Sequence, residues 1–490
     1  IKIISSCAFQ NCIFLKKLEI LPNSNLQLIK EYAFSNCIPL ENANFSNSNL
    51  QKIEKFVFEN TKIEEIFLPT SLKELEDGWC YNVDKLTKIT ISPSNKNFIM
   101  KDDKYMLGKS DPNKDEFDIL LFARRDVDKI SIPSNIKIIS PFAFNFCDKL
   151  TKIEIPTNSN LESIGSNAFS FSGIEEIYIP SKVLKIGEFA FEYCYSLKKV
   201  EIPSNSNLQT IGKYAFSNTA IGEIFIPSNV KVISSGTFKE CRCLTKAEIP
   251  SNSKLQKIEE QAFALSYINE ISLPASLKEL EDEWCCITQN LTKFTISPSN
   301  KNFLMKDDKY LLGKSDPNKD EFDVLLFASR DIEKISIPSN IRIISPYAFN
   351  YCLSLEKVEI PFNSNLESIG SNAFSDSDIR KIFIPSKISQ LCDSTFANCE
   401  NLEKVEIPDN NNLQTIGLWS FSLSYIKSFF ITSNVSQINE YAFYNCNSLK
   451  IIGISEESKL ESFQITSFLE CPKDIVILIP TSLSKLIHSI

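Results

Sequence analysis

The sequence predicts a β-dominated solenoid, and three observations predict it. First, a seven-residue pattern, L/I-x-x-I-x-I-P, recurs at 150–156, 174–180, 197–203, 221–227, 244–250 and 268–274, at steps alternating between 24 and 23 residues. Second, each occurrence leads into an Asn/Ser-rich turn and then into I-G-x-x-A-F-x-x-C/S. Third, about nineteen such segments run from 15–22 to 475–480, so the repeat occupies almost the whole chain. A period of about 20 to 29 residues with an L-x-x-L-x-L core marks a leucine-rich-repeat solenoid. One such unit cannot bury its own apolar side, so neighbours must stack into a continuous core. We therefore expect residues 1–490 to form a single solenoid of about nineteen coils. It should be a right-handed coil with one long parallel sheet on its concave face and an interior filled by Phe, Ile and Cys.

Within each coil the strand comes first. Its positions 1, 4 and 6, for example Leu150, Ile153 and Ile155, should face inward, the last two by period-two alternation. Proline at the strand end (Pro156, Pro180, Pro203) stops pairing because it has no N–H to donate. The Asn and Ser residues that follow, such as Asn158, Ser159 and Asn160, suit tight turns through side-chain bonds to local backbone. The returning side is a second apolar station, where Ile164, Ala168 and Phe169 recur as Ile186, Ala190 and Phe191. Its phenylalanines should stack into an internal aromatic column.

Coils alternate between two flavours. Phe144, Phe169, Phe191, Phe216, Phe238 and Phe263 step by 25, 22, 25, 22 and 25 residues. Cysteine follows the same super-period: Cys147, Cys194 and Cys241 are 47 apart, as are Cys352, Cys399 and Cys446. Ser172, Thr219, Ser266, Ser377 and Ser424 take the position in between. Thiols two coils apart sit about 10 Å from one another at about 4.8 Å per coil. A disulfide needs Cα atoms within about 7 Å. These thiols therefore read as small buried hydrophobes, and they do not fix the redox compartment.

A larger duplication spans 205 residues, approximately 86–290 against 291–490; within it, 86–147 and 291–352 agree at 52 of 62 positions. Both copies contain a longer coil, 92–126 and 297–331, in which 104–107 and 117–122 read as two strands. The turn-rich stretch 108–116 between them predicts an inserted β-hairpin with an acidic tip.

Reaction chemistry is sparse. The only histidine is His488, which removes histidine-based triads, Cys–His dyads and the commonest metal ligand together. Gly108, Lys109 and Ser110 resemble the end of a phosphate loop, but Asp103 stands where glycine is required. Asp111, Asn113 and Asp115, repeated at 316–320, open like a calcium loop, yet Glu116 replaces the glycine of the sharp turn. Cys285-Cys286 and Cys241/Cys243 lack the second pair a zinc site needs. We expect no enzyme, cofactor or metal, and no small-molecule substrate. A net charge of −9 argues against nucleic acid, which requires a basic stripe. No run of about 18 apolar residues is present to form a transmembrane helix. The chain starts at Ile1 inside a repeat, so we read it as a fragment or a trimmed protein. Asn44, Asn290 and Asn434 head glycosylation triplets, which arise readily in an Asn- and Ser-rich chain.

The outward strand positions carry the more specific signal. Position 3 reads Lys152, Glu176, Lys199, Glu223, Lys246, Glu270, Lys293, an alternating charge ladder that would set register and avoid like-charge neighbours. Position 5 reads Glu154, Tyr178, Glu201, Phe225, Glu248, and later Glu359, Phe383, Glu406, Phe430, with Phe67 in an earlier series. Rings on the exposed face either cover the stems of neighbouring Lys and Glu side chains or anchor a partner protein. In the second case the sheet is a concave contact surface with aromatic anchors and an acidic rim, the aromatic part having the composition of interface hot spots.

The unit at 197–216, with Ile211, Gly212, Ala215 and Phe216, resembles the BspA-like class of leucine-rich repeats, and the longer coil from Ser94 to Pro133 resembles a variant of that class. The resemblance covers nearly the whole chain. It implies a surface antigen that adheres to host cells and matrix proteins, located at the cell surface or secreted. An intracellular protein-interaction scaffold of the same fold is the alternative.

Overall fold

In the computed structural model, residues 1–480 are described except 23, 461–463 and 465, so His488 lies outside the described residues. Strands form because every coil repeats the same in–out alternation. Leu150, Ile153 and Ile155 are buried, while Lys152 and Glu154 between them are exposed, giving the strand Lys152–Glu154. The chain divides into two units, Ile1–Ser266 and Tyr267–Ile490.

In the first unit these strands pair in parallel. Lys17–Glu19, Asn42–Asn44, Glu65–Leu68 and Lys88–Ile91 make one sheet; Lys129–Ser131, Lys152–Glu154, Glu176–Tyr178 and Lys199–Glu201 make the next. Glu223–Phe225 pairs with Lys246–Glu248. A second column of two-residue strands runs along the returning side. From Ile138–Ile139 through Ser163–Ile164, Lys185–Ile186, Thr210–Ile211 and Val232–Ile233 to Lys257–Ile258 it forms an unbroken parallel ladder. The apolar station read from sequence is thus itself a strand, too short for alternation to reveal it.

The second unit repeats the scheme. Lys334–Ser336 pairs with Lys357–Glu359, Lys381–Phe383 with Lys404–Glu406, and Ser428–Ile431, Ile451–Ile454 and Val476–Leu478 form a three-stranded sheet. Its returning strands include Ile343–Ile344, Ser368–Ile369, Thr415–Ile416 and Gln437–Ile438.

The interior is the expected aromatic column. Phe144, Phe169, Phe191 and Phe216 stack with centroids 4.7, 5.0 and 5.1 Å apart and ring planes within 6°. In the second unit Phe349, Phe374, Phe396 and Phe421 follow at 4.8, 5.4 and 5.4 Å. Such pairs add about 0.5–1.5 kcal/mol each beyond the area they bury.

The alternation of cysteine with hydroxyl residues has a chemical cause that composition does not reveal. The Phe216 carbonyl accepts from Thr219 Oγ1 of its own coil at 2.8 Å and from Cys241 Sγ of the next coil at 3.0 Å. Phe374 O likewise accepts from Ser377 Oγ (2.6 Å) and Cys399 Sγ (3.1 Å). A hydroxyl reaches back three residues and a thiol reaches across to the previous coil, so the two share one acceptor. The buried cysteines are therefore hydrogen-bond donors as well as small apolar fillers. Burial pushes the Cys194, Cys241 and Cys399 thiols up to about 12, which keeps the donating proton in place.

The longer coils hold the expected hairpin and one strand more. Tyr105–Gly108 pairs antiparallel with Ile119–Ala123, and also with Phe98–Lys101, making a three-stranded meander. Asp102 and Asp103 turn the first corner with φ of 50° and 52°, as do Asp307 and Asp308 in the second copy at 53° and 52°. Two successive left-handed residues are the requirement of a type I′ turn. Phe98–Lys101 escapes sequence reading because it lacks polar alternation. Ile119–Ala123, on the other side of Tyr105–Gly108, then joins the returning ladder through Ile138–Ile139, so the coil sequence continues unbroken.

Candidate functional site

The strand face is built by positions 3 and 5 of each coil. Lys152, Glu176 and Lys199 stand opposite one another in register, as do Glu223 and Lys246. The ion pairs, however, close along the strand as well as between coils. Lys152 meets Glu154 at 2.8 Å, Lys199 meets Glu201 at 3.1 Å, and Lys404 meets Glu406 at 2.7 Å. This explains a departure from strict charge alternation. Lysine faces lysine at Lys129/Lys152, Lys334/Lys357 and Lys381/Lys404. At each of these steps at least one of the two lysines has a glutamate two residues ahead to bind. The lysine holds Glu154 and Glu359 below the usual carboxylate range. Glu154 and Glu201 in the first unit, and Glu359 and Glu406 in the second, are thus zwitterionic with their own lysines rather than bare acidic groups.

The aromatic residues sit among these charged positions. Tyr178 is half-buried, opposite Glu201 in register, and shares an open depression with Lys152, Glu154 and Lys199. Phe225, also half-buried, faces Glu248, and Phe383 faces Glu406. Phe67 is half-buried with Lys88 over its ring at 5.8 Å. All four rings are half-buried rather than fully exposed.

Phe430 differs: 53% of it is exposed. Its neighbour in register is Gly453, and a Cβ there would fall 2.7 Å from Phe430 Cδ2, so only glycine lets the ring lie across that coil. Around it the charged positions are replaced. Ile451 and Val476 occupy position 3 and Leu478 position 5, and all three are exposed. Phe362, 88% exposed in the turn after its strand, packs edge-on against Phe383 at 4.9 Å. Sequence reading missed these four. The available signal was departure from the repeat, since Phe362 stands where other coils have Ser204 or Ser251, and Ile451 where they have Lys or Glu.

The motif fragments resolve into local structure. Asp111 Oδ1 accepts from Asn113 N at 3.0 Å, closing its own turn, and Ser110 is tied to buried Asp118. Lys109 lies over the Phe117 ring at 5.0 Å. Asn434 Nδ2 donates to Asn411 O at 2.6 Å, which engages the atom a glycan would need. Among the described residues no group of His, Cys, Asp and Glu is placed to hold a metal ion, and no helix is long and apolar enough to cross a membrane.

The family described as BspA type Leucine rich repeat region (6 copies) matches residues 1–102, 118–245, 205–306 and 322–450. Among solved structures the chain is similar to a leucine rich cell surface protein from Faecalibacterium prausnitzii A2-165, at 20% identity and a TM-score of 0.55, covering 80% of this chain and 95% of that one. It is equally similar to the pneumococcal vaccine antigen PcpA, at 19% identity and a TM-score of 0.55, covering 80% and 96%. At these identities the likeness is one of fold. No curated protein matches the chain in sequence.

Proposed function

Since the chain belongs to the BspA-type leucine-rich-repeat family, we propose that it is a non-enzymatic, protein-binding solenoid of the cell surface, contacting host or matrix proteins through its strand face. The observation that carries this reading is the exposed apolar group Phe430, Ile451, Val476 and Leu478, set on a face whose other outward positions are mostly charged. Exposed aromatic and aliphatic side chains ringed by polar residues are what partner proteins bury as hot spots. Phe383 adds a smaller anchor in the second unit, and Phe67, Tyr178 and Phe225 offer smaller anchors at the equivalent strand position of the first. The carboxylates between them are held by their own lysines, which suits a rim that excludes water better than a reacting centre. Two structural neighbours are described as a cell surface protein and a vaccine antigen, which supports display outside the cell.

The test compares the chain with a variant carrying Tyr178→Ser, Phe225→Ser, Phe383→Ser and Phe430→Ser. Binding of labelled protein to epithelial cells and to immobilised matrix proteins is measured, with circular dichroism to verify the fold. Loss of at least about tenfold in affinity, equivalent to about 1.4 kcal/mol, is expected at an unchanged melting temperature. Equal binding by the variant would remove the strand face from consideration.

A further inference from the structure

The position three residues after each buried phenylalanine has a repeatedly observed geometry. Ser172 Oγ lies 3.4 Å from Cys194 Sγ, Thr219 Oγ1 3.4 Å from Cys241 Sγ, Ser377 Oγ 3.7 Å from Cys399 Sγ, and Ser424 Oγ 3.6 Å from Cys446 Sγ. A side chain at this position therefore touches its counterpart one coil away. In most coils the counterpart of a cysteine is serine or threonine, which cannot be oxidised to a cross-link.

Twice the alternation fails and cysteine occupies adjacent coils. Cys12 and Cys37 follow Phe9 and Phe34 in the first unit; Cys446 and Cys471 follow Phe443 and Phe468 in the second. Both pairs keep the geometry of the position. Cys37 Sγ donates to Phe9 O at 2.9 Å, and Cys471 Sγ donates to Phe443 O at 2.9 Å. The phenylalanines stack at 5.2 and 5.0 Å, holding the two coils of each pair in register. A coil spacing of about 4.8 Å lies inside the Cα separation of about 4.4–6.8 Å that a disulfide spans. Each pair joins one buried thiol, Cys37 or Cys446, to one partly exposed thiol, Cys12 or Cys471, so an oxidant has an entry point.

We infer that Cys12–Cys37 and Cys446–Cys471 are sites of covalent modification, each closing into a disulfide between adjacent coils when a small-molecule disulfide is supplied as oxidant. The partly exposed thiolate attacks one sulfur of the oxidant, whose S–S bond breaks and releases one thiol. The buried partner then displaces the second thiol from the mixed disulfide. Two electrons pass from the protein sulfurs to the oxidant, and both protons end on the released thiols. The neighbouring Cys446 thiol lowers the Cys471 pKa, which enlarges the share of thiolate at the partly exposed sulfur. The other buried cysteines of the alternating run have hydroxyl neighbours, with an arginine in the preceding coil beside Cys147 and Cys352, and remain thiols.

The experiment incubates the whole chain with oxidised glutathione, alkylates remaining thiols after denaturation, and maps linked peptides by mass spectrometry. Linked peptides joining Cys12 to Cys37 and Cys446 to Cys471, both lost on reduction, are expected. Cys471→Ser, a substitution that reproduces the serine–cysteine contact of Ser424 and Cys446, should abolish only the second link and leave Cys446 alkylated. Glutathione attached at Cys12 or Cys471 without a protein cross-link, links among other cysteines instead, or full alkylation of all four would each overturn the inference.

Discussion

Glu192 lies half-buried on the returning side, and burial alone pushes its carboxyl up to about 7. Its charge in turn is the main influence that raises the neighbouring Tyr193 phenol. The folded chain therefore binds a proton here that the unfolded chain, with an ordinary carboxylate, has already lost. Stability through this group must then fall as pH rises from the usual carboxylate range to about 7 and stay low above it. We expect Glu192→Gln to leave the urea midpoint nearly unchanged at pH 5 and to raise it at pH 8. An equal shift at both values would show that the carboxyl is as solvated in the fold as out of it. Neighbouring residues show a related tension. Phe171, Tyr193 and Tyr214 hold left-handed φ of 60°, 58° and 54°, which bulky side chains rarely adopt. Stacking offsets the strain: Phe171 lies 4.7 Å from both Phe146 and Tyr193.

At the scale of the element, glycine of the I-G pair sets how closely two coils approach. A Cβ at Gly187 would meet Ser166 N at 2.5 Å and the Gly165 carbonyl carbon at 2.6 Å, both of them backbone that cannot turn aside. Gly187→Ala should thus cost about 1–3 kcal/mol, the range for overpacking a tight interior. Gly222→Ala, where nothing lies within 4 Å of the new Cβ, should shift the urea midpoint little. Comparable losses from both would mean that close coil spacing is not what requires glycine at Gly187. These elements also mark what a sequence can disclose. Ile153 and Ile155 announced their strand by alternation, and Phe169 and Phe191 announced the column by recurrence, because both are periodic apolar signals. Ser163–Ile164 gave no warning of a strand, since two residues contain no period. The zwitterionic pairing was half legible: the order of Lys152 and Glu154 was plain, but whether lysine turns along its strand or across to the next coil depends on side-chain geometry. Among the site residues, Phe430 was readable by its place in a series. Ile451, Val476 and Leu478 were not, because they are defined by the absence of the charge that the repeat supplies elsewhere.

For the whole molecule, the consequence of coil-by-coil construction is that stability is local. Coils of the first unit contact their neighbours through recurring devices: the returning strand, the phenylalanine stack, pairing of the first strands within each sheet and, where cysteine alternates with a hydroxyl, the shared carbonyl. In such a stack the free energy is close to a sum of coil and nearest-neighbour terms. Phe191 contributes to two of those terms, with Phe169 at 5.0 Å and Phe216 at 5.1 Å, and it is fully buried. Phe191→Ala should therefore remove about 3–5 kcal/mol, the usual loss for a buried phenylalanine. The loss should be confined along the chain. Amides that bridge the affected coils, Phe169 N to Ala190 O and Phe191 N to Ala215 O, should lose hydrogen-exchange protection first. Phe34 N to Val57 O, several coils away in the same unit, should keep most of its protection. If protection instead fell evenly across residues 1–266, the unit would be folding as one cooperative body, and the nearest-neighbour account of the stack would fail.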